Sequence, residues 1–275
     1  MIAAAAALVA LVASAAPLRI ASLNLAADEV LVELVPAERL VAVTAQGDEE
    51  GMSNVVGRLP AGVPRFFRAD LERLIALRPD LVVVSEYTDP DFLRLLERSG
   101  IAYHRMEGLH GLAGYRQAIL DLGRAVGAPT RAGALVARFD ASLGALARRL
   151  AGAPRPRVLY WASGMSAGAD TAIGALIECG GGRNVAAELG LTGLRPISAE
   201  RAFLANPDRV LIGVWPGILE SLQADPLLSR LPAVAQGRID QMPTALLVTV
   251  THHAALACWD LARRLHPGLA LRPPP

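Results

Sequence analysis

Leu71-Glu72-Arg73-Leu74-Ile75-Ala76-Leu77-Arg78-Pro79-Asp80-Leu81-Val82-Val83-Val84 is the stretch on which the fold turns. It reads as a short helix, a turn at Pro79-Asp80 that the helix cannot pass, and a buried strand. The same order returns in the second half as Glu200-Arg201, five residues, Pro207-Asp208, and then Arg209 to Ile212, with identical spacing. Two copies of one helix-turn-strand unit imply two lobes built alike.

Outward from that unit, runs rich in Val, Ile and Leu alternate with helical patterns, the signature of parallel α/β units. Residues 19–23, 40–43, 81–84 and 101–105 read as strands in the first half, and 157–161, 209–214 and 239–242 in the second. Behind the first strand, Ala27, Val30, Leu31 and Leu34 repeat at helical spacing, with Asp28 and Glu29 in the opening turn, where acid complements the helix dipole. The segment 129–152 differs, because Leu135, Val136, Phe139, Leu143, Leu146 and Leu150 form one apolar stripe. At about 1.5 Å per residue this helix spans roughly 34 Å, enough to cross from one lobe to the other. Gly127 and Pro129 punctuate its start, and Gly152-Ala153-Pro154-Arg155-Pro156 its end. The expected organisation is an α/β protein of two lobes with mainly parallel sheets, residues 17–128 and 153–275, joined by a single long backbone helix over 129–152, with a ligand cleft between the lobes. A last amphipathic helix is expected from His252 to Leu265, and a disordered tail from Leu271.

The 275 residues carry 27 basic and 26 acidic side chains, a formal charge of +1, so no uniform field favours nucleic acid or an anionic membrane. An apolar run from Ala3 to Val12, followed by Ala13-Ser14-Ala15, reads as a signal peptide over 1–16 and implies export to the periplasm. The two cysteines, Cys179 and Cys258, read as small buried side chains, with pairing in an oxidising compartment as the alternative.

Several blocks together resemble the iron-siderophore, haem and cobalamin family of periplasmic substrate-binding proteins of ABC importers. Residues Arg19-Ile20-Ala21-Ser22-Leu23-Asn24-Leu25 look like its first strand and helix, and Leu71 to Asp80 resemble its most recognisable block. Cys179-Gly180-Gly181-Gly182-Arg183-Asn184-Val185 resembles its glycine-rich turn, and Ile197-Ser198-Ala199-Glu200 the start of the repeated unit. The resemblance implies limited hinge motion about one rigid helix, a metal chelate held between the lobes, and no intrinsic cofactor. It also implies that Glu72 and Glu200 dock onto basic residues of the membrane permease, one lobe per subunit, with the binding protein a monomer.

Ligands of open α/β sheets sit beyond the carboxyl ends of the strands, which makes side chains there the candidates. Tyr87, Trp161 and Trp215 fall at or just past strand ends, and Phe66 and Phe67 precede the Glu72 helix, where their rings could stack on a porphyrin, corrin or catecholate face. Arg65 and its neighbour Arg68 could meet ligand carboxylates or phenolates, and Asn24 could either hydrogen-bond a ligand or cap the next helix. His252 and His253 carry imidazoles able to ligate haem iron or cobalt, although adjacent helical residues point about 100° apart. Two rival readings remain open. One is a direct zinc or manganese binder using His104, His110 and His252; the other is an α/β enzyme, which lacks a G-x-G-x-x-G turn or a nucleophile elbow in this sequence.

Overall fold

The first lobe opens with β1 (Ile20–Ser22), α1 (Leu25–Leu34), β2 (Leu40–Thr44), β3 (Arg65–Phe66), α2 (Leu71–Leu77), β4 (Leu81–Ser85), α3 (Pro90–Arg98), β5 (Tyr103–Met106) and α4 (Leu112–Ala125). The long α5 (Pro129–Leu150) follows. The second lobe comprises β6 (Arg157–Tyr160), β7 (Met165–Ala167), α6 (Ala172–Cys179), β8 (Arg183–Asn184), α7 (Val185–Glu188), β9 (Leu194–Pro196), α8 (Ala199–Ala205), β10 (Arg209–Gly213), α9 (Ile218–Ala224), α10 (Pro232–Ala235), β11 (Ile239–Met242), α11 (Thr244–Leu247) and α12 (Ala254–Leu265). This computed structural model describes residues 18–273; the expected leader over 1–16 lies outside them, as do Pro274 and Pro275.

Both main sheets are parallel and, apart from the extra edge strand β3 in the first, share one order. The first runs β3-β2-β1-β4-β5, and the second, taken from its β8 edge, runs β8-β6-β10-β11. In each lobe the strand after the Pro-Asp turn pairs with the lobe's opening strand: Ile20 stands opposite Leu81, and Leu159 opposite Val210. The sequence repeat is therefore a repeat of topology. A separate antiparallel pair, β7 with β9, has no counterpart in the first lobe.

The repeated units match down to their end contacts. Asp70 caps α2 by accepting the Arg73 N–H, and Ser198 caps α8 by accepting the Arg201 N–H. Each helix stops in a left-handed residue, Arg78 at φ 46° and Asn206 at φ 43°. The Asp80 carboxylate then accepts the Arg19 backbone N–H at 2.9 Å, as Asp208 accepts that of Arg157 at 2.7 Å. The guanidinium of Arg19 donates to the Leu77 and Arg78 carbonyls, and that of Arg157 to the Ala205 and Asn206 carbonyls. One arginine at the head of each lobe's first strand thus satisfies the carbonyls that the helix end leaves unpaired.

Strand alternation sends side chains to two cores per lobe. In the first, Ile20, Leu81 and Val83 pack with α1, α4 and α5, while Ala21, Val82 and Val84 pack with Leu74 of α2 and Phe92 of α3. In the second, Val158, Tyr160 and Leu211 meet α6 and α12, and Leu159, Trp161 and Val210 meet α8 and α9. The strut α5 serves both lobes: Ala132 and Leu135 lie in the first lobe's core and Leu146 in the second's, as the apolar stripe anticipated. At Gly123 of α4 an added Cβ would stand 2.2 Å from the Ala132 Cβ, so glycine there lets α4 and α5 lie close.

Several expectations need correction. Cys179 and Cys258 form a disulfide joining α6 to α12, because the two helices pack against each other despite 79 residues of separation. The tail is not loose at its start, since Leu271 is buried in the second lobe's core. Asp28 does stand in the first turn of α1, and both it and Glu29 are buried, which the sequence did not indicate. Glu29 accepts from Asn54 N at 3.1 Å, Asn54 Nδ2 at 2.8 Å, Thr249 Oγ1 at 3.3 Å and Thr251 Oγ1 at 2.6 Å. Asn54 Nδ2 also donates to the Ala245 carbonyl. Because residues 245–251 leave the second sheet, this carboxylate ties the two lobes together beside α5.

Candidate functional site

The first lobe's strand order reverses at β1, whose neighbours are β2 on one side and β4 on the other, and such a switch opens a crevice beyond the strand ends. A cavity of about 400 Å³ lies there. Leu23 lines it after β1, Thr44, Gln46 and Glu49 at and after β2, Phe66 to Ala69 at β3, and Ser85 with Tyr87 to Asp89 after β4. Phe66 is buried beneath the wall and carries the Arg73 guanidinium 4.5 Å over its ring. Phe67 and Tyr87 are 86% and 78% exposed, two rings left facing solvent on one wall. Folding one large ring inward and leaving its neighbour outside follows from adjacent positions on a strand and its exit.

Local hydrogen bonds fix the loop after β4. The Tyr87 N–H donates to Ser85 Oγ at 2.9 Å, the Ser85 N–H to Thr88 Oγ1 at 3.1 Å, and the Asp91 N–H to Asp89, which caps α3 ahead of Pro90. Partial desolvation, followed by the neighbouring Glu86 carboxylate, holds the Tyr87 phenol above its ordinary pKa, so it stays protonated. Beneath the wall, Asp28 Oδ2 accepts from the Thr44 N–H and hydroxyl, and its Oδ1 has no partner. Burial pushes the Asp28 carboxyl up to about 7, against the lowering effects of Ser22, Thr44 and Arg65. Sequence reasoning overlooked Thr44, Gln46, Glu49, Ser85 and Thr88, although their positions just past two strands carry the signal that picked out Tyr87.

The remaining candidates divide. Asn24 caps α1 by accepting the Ala26 N–H at 3.0 Å, the alternative reading of its position. Arg65 is turned away into an ion pair with Asp48 and two carbonyl contacts at Pro60 and Val63, while Arg68 lines the cavity. Trp161 is 7% exposed because strand parity points its ring into the second lobe's core. Trp215 follows β10, half-buried, with its ring so close to Gly213 that an added Cβ would stand 2.3 Å from it. His252 and His253 do not join the strand-end cavity. They line another of about 460 Å³ with Glu33 of α1 and Arg138 and Phe139 of α5. Burial, then His253, Arg58 and Arg138, lowers the His252 pKa to about 3, so it is neutral at ordinary pH. A third cavity, about 560 Å³, runs along α5 beside Cys179 and is lined by residues that precede β6 and β8 instead of following a strand. Among the described residues no group of three or more His, Cys, Asp or Glu side chains is placed to hold a metal ion, and His104, His110 and His252 belong to separate segments.

Glu72 on α2 and Glu200 on α8 are exposed and occupy the same place in the two repeated units. Among the described residues neither forms an ion pair. The arginine that follows each is held by its own lobe, Arg73 over Phe66 and Arg201 on the Leu189 carbonyl at 2.7 Å. Its own backbone N–H, then the Ser198 hydroxyl, keeps the Glu200 carboxyl below the usual range and so ionised. Exposed apolar side chains stand near both, Ile75 at 50% and Leu204 at 82%. No helix among the described residues is long and apolar enough to cross a membrane.

The family model for periplasmic binding proteins matches residues 20–246. A cobalamin-binding protein of Halobacterium salinarum is 28% identical over 202 residues, 72% of this chain and 54% of the relative. The chain thus spans about half the length of the curated relatives it matches. The apo structure of the periplasmic haem-binding protein RhuT from Roseiflexus sp. RS-1 superposes with a TM-score of 0.76 at 28% identity, covering 90% of this chain and 98% of that one. A periplasmic haem-binding protein from Pseudomonas aeruginosa gives 0.75 at 23% identity over 94% and 95%, a likeness of fold.

Proposed function

The chain belongs to the periplasmic binding protein family, and from that premise we propose that it captures a metal chelate, a ferric siderophore, haem or cobalamin, and delivers it to the permease of an ABC importer. Members of the family are binding proteins of transporters, and this chain acts as one rather than as an enzyme. Capture uses the crevice past the first lobe's strand ends, where Phe67 and Tyr87 offer faces to a flat ligand. The strut α5 and the Glu29 tie limit the lobes to small relative motion, so the cleft is largely formed before the ligand enters.

The observation that carries delivery is the pair of exposed glutamates outside any ion pair among the described residues, one per lobe, on helices whose caps, left-handed ends and arginine anchors correspond. A duplicated acidic contact fits a partner that is itself two-fold symmetric, with a basic residue for each lobe. The bare helix-dipole role, worth about 0.3–1 kcal/mol, explains one glutamate but not the matched release of both from their neighbouring arginines. The protein works in the periplasm as a monomer, free of any resident cofactor.

The test pairs transport with binding. Glu72→Arg combined with Glu200→Arg is expected to abolish chelate uptake in cells while leaving chelate affinity in solution unchanged, and each single variant is expected to fall between. Undiminished uptake, or lost ligand affinity, would remove this role from the two glutamates.

A further inference from the structure

The proposed function leaves three kinds of chelate open, and the charges around the cleft divide them. In the cavity wall the single cation among the described residues is Arg68, set against Glu49 and Asp89. Behind the wall, Arg73 is stacked over the buried Phe66 ring. Arg65 is spent on Asp48, and Glu86, just behind Tyr87, accepts the N–H groups of Gly108 and Leu109. On the other lobe, the segments leaving β6, β10 and β11, residues 161–170, 214–220 and 243–251, contain no basic residue, and their charges are the two acids Asp170 and Glu220. What the wall does offer is neutral hydrogen-bonding side chains, Thr44, Gln46, Ser85 and Thr88, beside the two exposed rings.

A ligand enclosed between these walls gives up water around its own charges. A trianionic ferric tricatecholate, or haem with its two carboxylates, would meet one guanidinium and two carboxylates in this wall and no cation from the second lobe's strand exits, leaving negative charge uncompensated on closure. A chelate of zero or positive net charge escapes that penalty, and amides at its edge match the hydroxyl and carboxamide groups of the wall. Resting on the reading of this cleft as a chelate site, we infer that it selects metal chelates without net negative charge and with an amide-rich periphery. Corrinoids and ferric trihydroxamates share that chemistry; haem and ferric tricatecholates do not.

Titrating the protein with cyanocobalamin, ferrichrome, haem and a ferric tricatecholate, following tryptophan fluorescence, tests this. At least one of the first two is expected to bind roughly a hundredfold tighter than either of the last two, with little dependence on salt. Binding of cyanocobalamin alone identifies a corrinoid, and of ferrichrome alone a hydroxamate. Tighter binding of haem or the tricatecholate overturns the inference while leaving chelate capture standing; binding of none of the four refutes chelate capture itself, and the inference with it. As a second readout, Glu49→Arg is expected to raise tricatecholate affinity about tenfold, and an unchanged value would count against electrostatic selection.

Discussion

Replacing Glu29 by alanine should loosen the joint between the lobes, and the size of the effect follows from its contacts. The carboxylate is 2% exposed and accepts four hydrogen bonds, two from Asn54 and one each from Thr249 and Thr251. After truncation the threonine hydroxyls can still bond each other across 3.1 Å, and Asn54 keeps the Ala245 carbonyl. The Asn54 backbone N–H is then left without an acceptor, at about 1–3 kcal/mol. Loss of the packed methylenes adds about 1 kcal/mol or more, and relief of the buried charge offsets part. A net loss of about 3 kcal/mol is expected, which lowers Tm by roughly 6–12 °C in a chain of this size. Glu29→Gln should cost about 1 kcal/mol or less, because its amide oxygen can serve Asn54 while its NH2 faces hydroxyls able to turn and accept. Thermal unfolding followed by circular dichroism, with both variants beside the parent, gives the answer. Equal losses for the alanine and glutamine variants, or an alanine variant within about 1 kcal/mol of the parent, would show that this contact does not hold the lobes.

Three further outcomes are expected. Reducing the Cys179–Cys258 disulfide, or replacing Cys258 by serine, should cost about 2–4 kcal/mol toward the upper end, since the bond closes 79 residues of chain; an unchanged Tm under reductant would contradict this. Because the Asp28 carboxyl sits near 7 when folded and near 3.8 when not, its folded form holds a proton the unfolded chain has released, and its contribution is full below about pH 4 and fades as pH rises to 7. Chemical denaturation across that range should show a decline on the order of 4 kcal/mol that Asp28→Asn removes; parallel profiles for the two would refute it. Phe67→Ala should weaken chelate binding roughly tenfold with no change in Tm, given a ring 86% exposed, whereas Trp161→Ala should lose stability by about 3–5 kcal/mol from a ring 7% exposed.

Much of the fold was legible because it is written in local rules repeated twice. The Glu-Arg and Pro-Asp spacing located both helix-strand units, and the structure adds that Arg19 and Arg157 close them, a contact no periodicity reveals. The α5 stripe showed a strut, since one apolar face on an otherwise polar helix has to be covered along its whole length. What stayed hidden depends on distant chain segments meeting. The disulfide needs α6 beside α12, and the buried roles of Asp28 and Glu29 need β2 and residues 245–251 to fold over α1. Strand β3 is two residues long, too short to leave an alternating pattern.

The candidate site was legible by half for a similar reason. Placement ahead of the Glu72 helix selected Phe67 and closeness to a strand end selected Tyr87, both of which line the crevice, but the strand-end rule equally selected Trp161, whose side of the strand it ignores. His252 and His253 drew attention through their chemistry alone. They follow a segment that turns back across α1, which carries them to the joint between the lobes instead of the strand ends.

The central claim, capture of a metal chelate for import, is tested most directly on the protein isolated from the periplasm of its native host. Its absorbance spectrum and metal content should show a chelate bound at about one per chain, or at saturation after adding the chelate to stripped protein. A colourless, metal-free protein that takes up neither haem, a corrinoid nor any ferric siderophore would contradict the account.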